Sequence, residues 1–340
     1  MIVRKLENSD RLAWDQLTQA SHHDHDHSCF MQSWAWADFR ELDGYQTFRY
    51  GLFDQFHQLI GGCIFYFYPQ PSAANIIFAP AAPILSENLS PNLQIEGVKL
   101  LLAAAEKIAQ SSKQHGGAIA LRIEPVLSVK PRWMDQNFRR SPADLMPSET
   151  LWIDLIQTEP ELLANMSQKG RYNLRLSWRY GVKTSFHNDD AAIPIFFDLF
   201  YETAQRQGFL SEPYSFFIKL CQNLFREGMA EIGLAQYNNE NLVAILLIYW
   251  GDRCTYLYGG RSDRDRQVMP AYAMHWAAIQ RAKQRGCQIY DFYGYSEDPR
   301  HAYYNFSRFK RQFGGQVIKT IGAHDYFFYD RLADTIISLM

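Results

Sequence analysis

The stretch from Tyr256 to Gly315 reads strand, basic loop, helix, strand, then a basic and aromatic loop closed by Gly314 and Gly315. CTYLYGG supplies the first strand, Ala271–Arg285 the helix and Gln288–Tyr293 the second strand. Pro270 suits the first turn of that helix and Gly286 its end. This order brings two loops to the same end of neighbouring elements, which is where α/β proteins hold ligands. In an enzyme the block would form one wall of the site.

The rest of the 340 residues runs through a mixed α/β pattern twice. In the first half, a strand at Ile2–Leu6 precedes a helix opened by Asn8, Ser9 and Asp10. FMQSWAWADFRELDG reads as a helix over Phe30–Gly44, with Trp36, Phe39 and Leu42 near one face and Gln32, Ser33 and Arg40 at its entry or flank. Tyr50–Tyr68 is hairpin-like around DQFHQ. The segment PQPSAANIIFAPAAPIL is expected to carry the chain across the surface. A helix at Ile95–Gln114 ends at Gly116 and Gly117. The strand AIALRIEP then places Arg122 and Glu124 on one face, as a catalytic pair or as an exposed edge. The proline-bearing segment up to Glu149 is the expected linker.

The second half restarts with a strand at Thr150–Leu155. Thr158 and Glu161 have capping-box spacing, and Pro160 fits the first turn of a helix that continues to Gly181. Helices at Ile193–Gln207 and Pro213–Arg226 follow, then strands Ala230–Tyr237 and Asn241–Trp250 around the NNEN turn. The C-terminal stretch gives one strand and a helix expected to pack back on the first half. The expected domains are therefore 1–149 with 318–340, and 150–317, a duplicated fold with a cleft between its halves.

Composition narrows the function. Apolar residues make up 47% and charged ones 21%, a mix able to bury a sizeable core. A net charge of −2 excludes a generally basic nucleic-acid binder but not a local patch. Such a patch is present between Ser167 and Phe186, which holds basic residues and no acidic one. Its Arg171, Arg175 and Arg179 recur every four residues and line one helical face, which favours an anionic partner. Five scattered cysteines without a CxxC suit buried thiols in a reducing compartment. MIVRKLENSD lacks the apolar core of a signal peptide, and no window approaches 18 apolar residues. The expectation is a cytoplasmic protein whose membrane contact, if any, is peripheral. His22–His27 reads as a solvated loop and no metal site is expected, because ligand sets usually draw on separate elements.

The element order matches the acyltransferase (GNAT-type) architecture. Acetyl-CoA enzymes of that class carry a Gly-rich turn before the main helix, so that backbone N–H groups bind the pyrophosphate. Here that place reads GGRSDRDRQVMPAY, with glycines too early and a charged turn, so standard acetyl-CoA binding is not expected. GxSxG, HExxH, Walker A and GxGxxG are also absent.

QSWAWADFR, KGRYNLRLSWRYGV, YETAQRQGF, YLYGG, AKQRG before YDFYG, and FKRQFGG occur in that order. Together they resemble the Fem peptidyltransferase family (FemABX) over nearly the whole chain. The resemblance implies two tandem GNAT-like domains with mixed α/β sheets, without the long helical-hairpin arm of some members. It also implies transfer of an amino acid from aminoacyl-tRNA, as co-substrate and without a further cofactor, to the stem peptide of a peptidoglycan precursor. UDP-MurNAc-pentapeptide and a lipid-linked precursor both fit as acceptor, the latter with contact at the inner membrane face.

By resemblance, Arg40 and Arg206 contact the precursor diphosphate, Arg40 standing where the family commonly has Lys. Tyr256 and Tyr258 correspond to aromatics around the precursor, and Lys310 to the lysine near the reaction centre. Glu124 stands where some members have Asp before Pro, a candidate general base. Asp291 or the substrate's own carboxylate could take the proton instead, and Asp291 reads better as a strand-end cap. The basic face of Arg171, Arg175 and Arg179 could meet tRNA phosphates. Two other functions remain open on the same scaffold: an acyl-CoA-dependent N-acyltransferase, and a non-catalytic binder of diphosphate-sugar headgroups.

Overall fold

The computed structural model describes residues 1–19, 29–68, 75–111, 117–135 and 137–328. They divide into two compact units, Met1–Ser148 with the segment from Lys319 onward, and Glu149–Ile318.

In the first unit β1 (Ile2–Lys5) leads through α1 (Arg11–Gln19) to α2 (Trp34–Leu42) and the antiparallel pair β2 (Gln46–Phe53) and β3 (Leu59–Phe67). The helix expected over Phe30–Gly44 is shorter. Phe30–Gln32 form a 3-10 turn, and the Ser33 hydroxyl caps α2 by accepting the Trp36 N–H at 3.1 Å. Gln32 is wholly buried. Its amide donates to Pro80 O at 2.8 Å and accepts from the Ile64 N–H at 2.8 Å. Leu42 is 57% exposed, so of the three apolar residues expected on the inward face only Trp36 and Phe39 are buried, joined by Trp34, Ala35 and Ala37.

The described part of the proline- and alanine-rich segment, residues 75–85, does not cross the surface. It supplies β4 (Ile76–Pro80) and the short β5 (Ile84–Leu85), and β4 is an interior strand between β3 and the later β6. Ile77 and Ala79 alternate inward and are fully buried. The strand is only five residues long, ends on Pro80 and lies in a proline-rich segment, which hid it. Residues 69–74 lie outside the described residues.

After α3 (Pro91–Ser111) comes β6 (Ala120–Glu124), parallel to β4 with Pro80 opposite Glu124. Glu124 is therefore on an interior strand, not on an exposed edge. The expected linker is part of the core as well: Trp133, Met134 and Phe138 are buried, the last on β7 (Phe138–Arg140). Phe65, Ile77, Leu101, Leu121 and Met134 belong to one cluster that binds α3 to the sheet.

In the second unit β8 (Glu149–Asp154) is followed by two helices where one was expected, α4 (Glu159–Asn165) and α5 (Gln168–Tyr180). The capping box at Thr158 and Glu161 opens α4, with the Thr158 N–H donating to the Glu161 carboxylate at 2.8 Å. Met166 is extended, and Ser167 restarts the helix by accepting the Gly170 N–H at 3.0 Å. A second serine cap inside an apolar-periodic run is what ended the continuous helix. An unforeseen strand, β9 (Lys183–His187), then lies at the sheet margin, before α6 (Ala192–Gln207) and α7 (Tyr214–Arg226).

β10 (Ala230–Tyr237), β11 (Glu240–Trp250) and β12 (Arg253–Arg261) form an antiparallel meander. α8 (Pro270–Gln284) crosses over to β13 (Ile289–Asp291), which runs parallel to β12. FSRFKRQF, expected as a loop, forms α9 (Tyr304–Lys310) and a 3-10 turn at Arg311–Phe313. Phe306, Phe309 and Phe313 recur at helical spacing there, and the Gly pair marks its end. β14 (Gln316–Lys319) closes this sheet beside β8. The longest helix of this unit, α6, has 16 residues, and no helical-hairpin arm is present among the described residues.

β15 (His324–Phe327) then joins the first sheet between β6 and β7. The helix expected after it lies outside the described residues. Both sheets follow one plan: an antiparallel meander, a crossover helix, and a parallel strand ending on a buried carboxylate. These are Glu124 on β6 and Asp291 on β13.

Candidate active site

Parallel pairing of β12 with β13 stops at Thr255 and Asp291, while β12 continues to Arg261. Beyond that point a cavity of about 620 Å³ opens in the second unit, lined by Tyr256, Gly260, Tyr272, His275 and Phe309, with Arg206, Arg261 and Arg266 among its polar residues. A bulge sets which tyrosine it receives. Leu246 pairs with Tyr258 and Leu247 with Tyr256, so β12 carries one extra residue between them. That extra residue reverses the alternation of the strand. Tyr256 packs edge-on against His275 at 4.6 Å, whereas Tyr258 packs against Phe200 and Phe217 at 5.5 and 5.3 Å. The two tyrosines expected to share an acceptor wall are thus on opposite faces of the sheet, and only Tyr256 lines the cavity.

Lys310, at the last turn of α9, is 7% exposed. Its ammonium donates to the carbonyls of Tyr293 and Gly294, the second at 2.6 Å, and lies 5.7 Å from the centroid of the Tyr256 ring. Both carbonyls belong to left-handed residues, Tyr293 at φ 46° and Gly294 at φ 59°. Glycine takes that conformation freely, while for a tyrosine it costs of order 1–3 kcal/mol. Burial pushes the Lys310 ammonium down to about 7, with Asp291 pulling the other way.

Sequence reasoning missed His275. It is 3% exposed, and its Nδ1 is 3.0 Å from the Tyr290 hydroxyl. Burial, aided by the Lys310 charge, pushes it down to about 3, so it is a neutral imidazole at ordinary pH. The available signal was one imidazole within the otherwise apolar inward face of α8.

Arg206 donates from both terminal nitrogens to Arg261 O at 3.2 Å and from Nη2 to the Thr203 hydroxyl at 3.1 Å. The Asp263 carboxylate is 3.6 Å from Arg206, 3.2 Å from Arg261 and 3.7 Å from Arg266, and Glu202 is 3.6 Å from Arg206. Three guanidiniums thus share one central carboxylate. Burial, then the charges of Arg206 and Arg266, push the Arg261 guanidinium below its usual range. An incoming polyanion would relieve that repulsion.

In the first unit the Arg40 guanidinium lies 3.8 Å from the Tyr45 ring centroid and 3.2 Å from the Asp43 carboxylate. Glu124, 4% exposed, accepts the N–H groups of Leu145 and Met146 at 2.7 and 2.5 Å, one on each oxygen. Burial nevertheless pushes its carboxyl up to about 7. Arg122, on the same strand, holds Asp325 through two bonds of 2.7 and 2.9 Å.

The three arginines of α5 do not act alike. Arg171 turns back to the C-terminal carbonyls of α4, including Ala164 O at 2.9 Å and Met166 O. Arg175 and Arg179 are exposed, beside the exposed Tyr172 and Trp178. The histidines at His22–His27 lie outside the described residues. No helix among the described residues is long and apolar enough to cross a membrane.

Two meander-and-crossover sheets in tandem are the architecture of the GNAT-like acyltransferases. A tandem GNAT protein from the clavulanic acid biosynthesis pathway superimposes with a TM-score of 0.54 at 11% identity, covering 96% of each chain. A crystal structure of FemX matches with a TM-score of 0.83 at 20% identity over 99% of this chain and 100% of that one. The FemAB family model matches residues 140–243 and 231–332, more than half of the sequence, and the chain belongs to the FemAB family. Among its relatives is a lipid II:glycine glycyltransferase of Staphylococcus epidermidis, 23% identical over 305 residues that cover 68% of this chain and 73% of the relative. That of Staphylococcus aureus is 22% identical over 312 residues with the same coverage.

Proposed function

We propose that this protein is an aminoacyltransferase that moves an amino acid, glycine in the first instance, from aminoacyl-tRNA to an amine of a lipid-linked peptidoglycan precursor's stem peptide. Family membership and relatives named for glycyl transfer to lipid II support the reaction class. The single structural observation behind the reading is the buried Lys310 ammonium, clasped by two carbonyls and 5.7 Å from the ring of Tyr256, which itself lines the cavity that holds Arg206, Arg261 and Arg266.

In the reaction an amine nitrogen attacks the ester carbonyl of the donor. A C–N bond forms, the C–O bond to the ribose breaks, and the ribose oxygen takes up a proton. Negative charge develops on the carbonyl oxygen and then on the departing ribose oxygen. Lys310 has three N–H donors and two are engaged, which leaves one for that charge. Asp291 is occupied by Thr150, the Tyr293 N–H and Arg253, so the amine proton goes to the substrate's own carboxylate, which passes it on to the departing ribose oxygen. Arg206, Arg261 and Arg266 suit the precursor diphosphate, and Arg40 in the first unit offers the same chemistry. Arg175, Arg179 and Trp178 suit the phosphates and bases of the donor RNA. Glu124 holds the Leu145–Met146 backbone.

The pH dependence follows from Lys310. Its charged form is the active one and burial lowers its range, so kcat/KM should fall about tenfold per unit as pH rises through about 7. Lys310→Arg, which stays charged, should flatten that limb in whatever activity it retains. An unchanged limb in Lys310→Arg would assign it to another group. The donor is tested by offering labelled aminoacyl-tRNAs and labelled acyl-CoAs separately with the precursor. Label should enter the stem peptide from aminoacyl-tRNA alone, and saturable transfer from an acyl-CoA without tRNA would overturn the reading.

A further inference from the structure

The carboxylate of Asp291 sits directly behind the turn that grips Lys310. One of its oxygens accepts both the Thr150 hydroxyl and the Tyr293 N–H, the latter at 2.8 Å. The other faces the Arg253 guanidinium at 3.7 Å. Asp291 is 4% exposed and Arg253 6% exposed. Arg253 lies 4.5 Å over the Trp152 ring, and its Nε and Nη2 have no hydrogen-bond acceptor. A buried, half-satisfied guanidinium contributes little to stability and is costly to leave without its counter-charge. Its place is explained by what it does to Asp291, which it fixes from behind.

The Tyr293 N–H bond determines the backbone at that residue. It holds Tyr293 at φ 46°, and Gly294 follows at φ 59°. Two successive left-handed residues turn their carbonyls to one side, where both receive the Lys310 ammonium. Thr150, on β8, ties this turn to the neighbouring strand, because β8 and β13 are paired with Trp152 opposite Asp291.

We propose that Asp291 is a positioning residue for Lys310, acting through the Tyr293–Gly294 turn with Arg253 and Thr150 as its supports. The inference rests on the reading of Lys310 as the charge-stabilising group. Asp291 is buried and is not among the residues that line the cavity. It acts by fixing the two acceptors that aim the ammonium, and by placing a negative charge behind it while His275 and Tyr256 flank it in front.

The test compares Asp291→Asn with Lys310→Ala, reading kcat, acceptor KM and the pH at which Lys310 loses its proton. That pH is followed directly, without turnover, by NMR of ¹³Cε-labelled lysine in the intact protein. For Asp291→Asn, kcat should fall about ten- to a hundredfold with KM little changed, since misaiming by about an ångström costs that much. The Lys310 titration should move down by about one pH unit, because the opposite charge behind it is gone. An inactive Lys310→Ala beside an Asp291→Asn with wild-type kcat and an unmoved Lys310 titration overturns the positioning role alone. A fully active Lys310→Ala overturns the reading of Lys310 instead. Asp291→Asn leaves Arg253 buried without its counter-charge and could fail to fold. Thr150→Val then carries the test, since it removes one donor to the carboxylate and no charge. A loss of kcat at constant KM supports the proposal, and wild-type kcat in a folded Thr150→Val overturns it.

Discussion

Lys310→Ala should lower kcat about 10²- to 10³-fold and leave the affinity for the precursor nearly unchanged. The magnitude is that of removing one preorganised donor aimed at developing negative charge, about 2.7–4 kcal/mol. The split between kcat and binding follows from location. The ammonium is held by Tyr293 and Gly294 carbonyls, while the guanidiniums that would hold an anionic acceptor are Arg206, Arg261 and Arg266. Steady-state kinetics with a calorimetric measurement of precursor binding separates the two. A variant that turns over at the wild-type rate would remove Lys310 from the chemistry.

Gly260→Val should destabilise the protein by about 3 kcal/mol, the upper part of the overpacking range. A Cβ at Gly260 would stand 2.3 Å from the backbone C and O of Leu199 and the N of Phe200, atoms of α6 that cannot rotate away. The helix must move off β12 to admit it. Doing so would break the bonds of the Thr203 hydroxyl to Arg261, which donates to its carbonyl at 3.1 Å and accepts its N–H at 2.9 Å. Arg206 rides on the same helix, so a raised KM for the precursor should accompany the lowered melting temperature. Chemical denaturation and thermal melting measure the loss. A wild-type midpoint would contradict the close approach of α6 to β12.

The regular parts of the fold could be read from local chemistry. Pro270 and Gly286 bracket α8, the Thr158–Glu161 pair opens α4, and the Asn238–Asn239 turn joins β10 to β11 because both residues adopt positive φ. What escaped depends on comparing two strands or two distant elements. The bulge between Tyr256 and Tyr258 is a mismatch in residue count between β11 and β12, and neither strand announces it alone. β4 is concealed by its shortness and by Pro80 at its own end, although its interior place requires only the alternation of Ile77 and Ala79. The late loop proved helical because Phe309 and Phe313 find Tyr272 and His275 across the core, at 5.1 Å and 5.7 Å. The sequence offers for His275 only a lone imidazole on an apolar helix face and for Asp291 only its place at a strand end; their perturbed surroundings, and the pairing of Asp291 with Arg253, come from burial.

The central claim is that the acyl group passes from an RNA ester to a stem-peptide amine. A single-turnover reaction tests it most directly, with enzyme in excess over glycyl-tRNA and a lipid-linked precursor, following ester loss and peptide mass together. Each ester cleaved should yield one precursor extended by one glycine. Ester cleavage without extension, or extension that proceeds equally after the RNA is digested, would contradict it.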